Sequence, residues 1–148
     1  MFAQAITPLF RRDLERLKKE VEAYTQEDRL WLKAHHIPNA AGNLCLHLCG
    51  NLNTYIGAEL GKTGYVRHRD LEFSLRDIPR EQLLAQISDT ADMIDLVLAG
   101  LPEQAFSQEY PVQLFSQPAS TAHVLIHLAT HLAYHLGQVN YHRRLLDV

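Results

Sequence analysis

Apolar side chains recur at intervals of three and four along most of this chain, and the recurrence marks out four amphipathic segments. The first runs from about residue 7, with Pro8 suited to its first turn, through Leu9, Leu14, Leu17 and Val21 to about residue 24. The second covers residues 43–60 and is stopped by Gly61 and Gly64. A third follows Asp77-Ile78-Pro79, where Asp77 is read as the cap and Pro79 as a first-turn residue; Leu83, Ile87, Ile94 and Leu98 carry it to Gly100. The fourth starts after Pro118, with Ser120 or Thr121 as its cap, and continues to about residue 146. Nothing alternates with period two for long enough to require a sheet. Four helices of roughly 18 to 27 residues, joined by connections too long for plain hairpins, predict an all-α four-helix bundle with crossover connections. Two of those connections, residues 31–41 and 65–77, are long enough to roof a site.

The fourth segment carries an unusual polar series, His123, His127, His131 and His135, spaced four apart. A helix turns about 100° per residue, so each step of four drifts by about 40° and neighbouring histidines stack on one face. Two imidazoles one turn apart close on a single divalent ion, and a third ligand from elsewhere makes an open, reactive site. All four cannot serve one ion, because His123 and His135 differ by about 120° and three turns; the adjacent pair nearest the middle of the bundle is expected to ligate. In the second segment Asn43, His47 and Asn51 also recur every four residues, flanked by Leu44 and Leu48, so this polar line borders the core and needs partners. Cys45 points about 200° away from His47, which disfavours a mixed thiolate and imidazole site. Three histidines and no thiolate are expected. The competing reading is a polar core network, since a lone buried histidine is ordinarily a satisfied core residue.

With 148 residues, 47% of them hydrophobic, the chain suits one core and is read as a single domain, 1–148. A formal charge of −3 with no long basic run gives no footprint for nucleic acid. The N-terminus lacks the charged and apolar regions of a signal peptide, and no apolar run approaches the roughly 18 residues needed to span a bilayer; a cytoplasmic protein without membrane or nucleic-acid partners is expected. Cys45 and Cys49, four apart on one helix, are read as reduced core residues. Gly57-Ala-Glu-Leu-Gly61-Lys62-Thr63 is not a phosphate loop: it has three residues between its glycines where four are required, and it follows a helix rather than a strand.

The string His127-Leu-Ala-Thr-His131-Leu-Ala-Tyr-His135-Leu-Gly137-Gln138 resembles the last-helix signature of the DinB-like superfamily of YfiT-like metalloenzymes. Gly42-Asn-Leu-Cys-Leu-His47-Leu-Cys-Gly-Asn51-Leu resembles its ligand-bearing segment. Helix lengths and order agree over nearly the whole chain, with the last-helix motif as the specific part. The resemblance implies that His47, His131 and His135 bind one divalent transition metal. Zn or Ni is favoured, and imidazole also suits Fe, Mn, Co and Cu. It implies an up-up-down-down bundle that pairs into homodimers. His127 then becomes a cavity residue and the candidate for a general base; His123 is structural. Asn43, Asn51 and Gln138 are candidates to brace ligands. Arg67 and Arg69, with Asp70, are candidates to hold an anionic substrate, against the commoner alternative of ion pairs. Glu59, Asp70 and Glu72 receive no role from sequence. Characterised relatives include transferases and isomerases that use low-molecular-weight thiols such as bacillithiol or mycothiol, whereas the loop 65–73 resembles a branch with no assigned reaction. The expected function is a metal-dependent S-transferase or hydrolase. The alternative is a non-catalytic binding or dimerisation module with a structural histidine network. Trp31 and Tyr65 either line a pocket mouth or cover the core, and His35 and His36 are read as loop residues.

Overall fold

The computed structural model describes residues 1–34 and 36–148; His35 lies outside the described residues. Among the described residues there are five α-helices and no strands: α1 (Phe2–Ala23), α2 (Ala41–Leu52), α3 (Arg69–Ser74), α4 (Arg80–Gly100) and α5 (Thr121–Leu146). No helix is long and apolar enough to cross a membrane.

α1 starts five residues earlier than its apolar pattern predicts, because its first turn is held from outside: the Glu103 carboxylate accepts from the N-terminal ammonium (2.7 Å) and from the Phe2 N–H (3.1 Å). Pro8 therefore sits inside the helix rather than in its first turn. The carbonyl it leaves without a helical donor belongs to Gln4, which is exposed. Ile6, Phe10, Leu14, Leu17 and Val21 form the buried stripe, each contributing about 1.5–3 kcal/mol by leaving water, whereas Leu9, expected on that stripe, is exposed.

α2 is buried along its whole length and continues through a π-helical turn, Asn53–Ala58. Trp31 covers its start; a Cβ on Gly42 would stand only 2.7–2.8 Å from the indole ring, so the close approach requires glycine there. Trp31 is thus a core residue, while Tyr65 is exposed.

Asp77 does not cap α4. Its φ of 58° puts it in the left-handed region, and the Arg80 N–H at the helix start donates instead to Glu27 Oε1 (2.6 Å) from the 3-10 turn Glu27–Trp31. Ser120 does cap α5, its hydroxyl oxygen accepting from the His123 N–H (3.2 Å).

α1 and α2 each pack against α4 and α5. Early in α1, Arg11 pairs with Asp92 (2.8 Å) and Asp95 late in α4, while near the end of α1 the Glu22 carbonyl accepts from Arg80 (3.3 Å), so these two helices run antiparallel. Glu20 meets Asn140 and Arg143, and the Thr25 N–H donates to Asp147 (2.7 Å), so α1 and α5 run parallel. Along α2 and its continuation, Asn53 meets Thr90 and Gly57 lies against Met93, so α2 and α4 are also parallel. The order is up, down, down, up, which corrects the expected up-up-down-down arrangement. The physical reason is in the links: α2 begins at the end where α1 stops, and the chain between α2 and α4 must travel back a helix length before α4 can start. That returning segment carries α3 across α2.

Candidate metal centre

His47 comes from the middle of α2, and His131 and His135 from successive turns of α5. One ring nitrogen from each lies within 4.8 Å of the other two. The Nε2 atom of His131 stands 3.3 Å from Nε2 of His47 and 3.1 Å from Nε2 of His135. Around a tetrahedral ion with metal–nitrogen bonds of about 2.05 Å, neighbouring donors are about 3.3 Å apart. The rings meet nearly edge to face, at 75°, 87° and 90°.

The opposite ring nitrogens test the fit. His47 Nδ1 lies 3.1 Å from Glu72 Oε1, and His135 Nδ1 lies 2.6 Å from Gln138 Oε1. Both partners are oxygens that accept, so both imidazoles carry their proton on Nδ1 and turn an Nε2 lone pair inward. Two inward lone pairs and a third nitrogen between them leave room for at most one useful proton; a cation satisfies all three. The three imidazoles could hold a metal ion, and the carboxylate and amide behind the rings are the kind of partner that orients metal-ligating histidines. His131 Nδ1 is buried without a partner among the described residues.

Glu72, to which sequence reasoning gave no role, stands directly behind His47. It is buried on α3, accepts two 2.8 Å hydrogen bonds from Arg67 through Nε and Nη2, and accepts a third from His47 Nδ1 (3.1 Å). Among the described residues the Asn43 side chain hydrogen-bonds to backbone rather than to a histidine; its Nδ2 donates to the carbonyls of Glu72 (3.0 Å) and Leu75 (2.8 Å), clamping α3 onto α2. Gly50 makes the approach of the two helices feasible, since a Cβ there would fall 1.9 Å from Glu72 Oε2. No periodicity announces this arrangement, because α3 is a helix of only six residues inside a connection.

The remaining candidates separate. Arg67 is taken up by Glu72, while Arg69 is exposed with its guanidinium over the Phe73 ring (5.3 Å), and Phe73 packs on His47 (5.0 Å). Asn51 is buried with its Oδ1 unpartnered among the described residues. His127 and His123 are exposed and flank Phe115; His127 stacks on His131 at 6.4 Å but stands outside the three-nitrogen cluster. His142 is a structural histidine, bonded to the Tyr24 hydroxyl (2.7 Å) and, through Nε2–H, to the Leu32 carbonyl (2.8 Å). His36 is exposed in its loop. Cys45 and Cys49 are buried and free, and burial pushes both thiols up, Cys49 to about 11, so neither is a nucleophile at neutral pH.

Burial holds His47 and His142 below the ordinary histidine value, and burial with help from the neighbouring imidazoles holds His131 down to about 4. The unfolded chain therefore takes up protons that the folded one refuses, and stability is complete above about 6.5 and lost as pH falls toward about 4. Calorimetric melts of the metal-free protein at pH 7.5, 5.5 and 4.5, values of roughly that span, are expected to show a melting temperature that drops at each step. A melting temperature unchanged across the series would contradict the neutral, buried state of these rings.

A family model described as "Protein of unknown function (DUF1572)" matches residues 2–147. Among curated proteins, none matches the chain.

Proposed function

The chain belongs to the DUF1572 family, a DinB-like family of uncharacterised domains, and from that premise we propose that it is a divalent-metal-binding DinB-like four-helix bundle whose open three-histidine site works as a thiol-dependent S-transferase or a hydrolase. The observation that carries this reading is the convergence of three Nε2 atoms at 3.1 and 3.3 Å with their outer nitrogens held by Glu72 and Gln138. Three protein ligands leave one tetrahedral position free, which is the pattern of catalytic rather than closed structural sites. The metal, when bound, supplies Lewis acidity that favours the ionised form of a thiol or of water near neutral pH.

The chain's own residues do the rest. Neutral His47 and His131 keep their lone pairs available at pH 7. The rings of Phe73 and Tyr134 lie at the mouth of the centre, 5.0 Å from His47 and 5.2 Å from His135. Arg69, with no ion pair among the described residues, draws an anionic thiol or carboxylate toward that mouth. His127, exposed beside His131, is the imidazole in place to exchange a proton with solvent. The exposed Tyr134, Tyr141 and Leu145 of α5 support homodimer formation.

Elemental analysis of protein purified without chelator or a nickel column tests the reading. About one equivalent of a divalent transition metal per chain is expected, as three histidines define a single site, followed by metal-dependent consumption of a thiol with an electrophile or of a hydrolysable ester. No metal even after supplementation would leave a helical module with a histidine network.

A further inference from the structure

We propose that Glu72 is the positioning residue of the three-histidine centre, fixing the His47 ring with its proton on Nδ1 and its Nε2 lone pair inward, and that Arg67 sets how strongly the carboxylate pulls on that proton. The inference rests on the metal-site reading above and deepens it.

Three separate features of the chain bring this one carboxylate to its place. Asn43 pins the backbone of α3 at Glu72 and Leu75 (3.0 and 2.8 Å); a helix of six residues has little stability of its own and needs such a clamp. Gly50 supplies the space for the carboxyl group, which a Cβ would occupy at 1.9 Å. Arg67 completes the arrangement, holding both carboxylate oxygens with bonds of 2.8 Å. An ion pair alone needs none of this: Arg11 and Asp92 pair at 2.8 Å with the carboxylate largely exposed. Here the pair is buried against an imidazole.

The hydrogen-bond inventory fixes the direction of the contact. A guanidinium carries only donors, so Arg67 Nη2, 3.4 Å from His47 Nδ1, gains nothing from a protonated nitrogen there. Glu72 Oε1 accepts from both groups at once, at 3.1 Å from the ring and 2.8 Å from Arg67. A carboxylate behind a ligating histidine locks the tautomer and raises the basicity of the other nitrogen. A guanidinium that shares the same carboxylate withdraws part of that effect. Removing the charge of Glu72 and removing Arg67 therefore act on His47 in opposite directions, whereas loss of a merely structural salt bridge would act in one.

The test uses full-length protein with ¹⁵N-labelled histidine and the variants Glu72→Gln and Arg67→Met, each checked for parental helicity by circular dichroism. Nuclear magnetic resonance of the metal-free parent is expected to show His47 protonated on Nδ1, with a proton resonance shifted downfield by the carboxylate. That resonance moves upfield in Glu72→Gln and further downfield in Arg67→Met. Competition for zinc against a chromophoric chelator is expected to weaken about 10- to 100-fold in Glu72→Gln and to stay at or above the parental affinity in Arg67→Met. Equal losses in both variants, or a parental His47 protonated on Nε2, would overturn the proposal. A parent that binds no zinc yet shows the Nδ1 proton moving as described would sink the metal reading and support the role of Glu72 in orienting the ring.

Discussion

Replacing His131 with alanine is expected to take zinc from about one equivalent per chain to background, because a three-ligand centre has no spare donor. His131 is the middle member: its Nε2 approaches both of the others, at 3.3 and 3.1 Å. Without it, two imidazoles on different helices remain. The fold should tolerate the change, since His131 is half-buried and its Nδ1 has no partner to lose among the described residues. Thermal melts separate the two effects. Zinc at about a hundred times its dissociation constant should stabilise the parent by about 2.7 kcal/mol, and His131→Ala should gain nothing, while the metal-free proteins melt within a few degrees of each other. His127→Ala, one turn earlier and outside the cluster, should keep its metal. A His127→Ala protein that loses zinc beside a His131→Ala protein that keeps it would shift the ligand set by one turn.

Gly50→Ala is expected to damage both stability and metal affinity, although an alanine inside a helix ordinarily stabilises it by about 0.5–1 kcal/mol relative to glycine. The added Cβ would lie 1.9 Å from Glu72 Oε2 and 2.6 Å from its Cδ. A glutamate on the surface would swing aside at little cost. This one is held by Arg67 and His47 and is buried, so displacing it leaves a guanidinium and a ring nitrogen without their acceptor. Breaking a buried pair in this way costs about 3–5 kcal/mol, and zinc affinity should fall about 10- to 100-fold through the freed His47 ring. The double variant Gly50→Ala/Glu72→Gln should lose much less than the sum of the two single changes, because both act through one carboxylate. Chemical denaturation and chelator competition measure the two quantities; an alanine variant as stable as the parent would show that Glu72 is not held where its bonds require.

The helices were legible wherever burial imposed a period: Leu14, Leu17 and Val21 in α1, and Leu83, Ile87, Ile94 and Leu98 in α4, are buried as their spacing requires. The failures were local and came from groups distant in sequence. Glu103 extends α1 beyond the start suggested by Pro8, and Glu27 takes the place of Asp77 at the head of α4. Ends of helices depend on whichever donor or acceptor the fold brings up, and periodicity carries no information about that.

What the sequence determined by itself is the neighbourhood of His131 and His135, because two residues four apart on one helix adjoin in any tertiary setting. The tertiary structure alone decided that His47 meets them, since that contact depends on α2 running antiparallel to α5. It also decided that Glu72 stands behind His47. The chain must return along α2 before α4 can begin, and that return path, shaped by the directions of four helices rather than by any local pattern, lays α3 and its carboxylate against the ring.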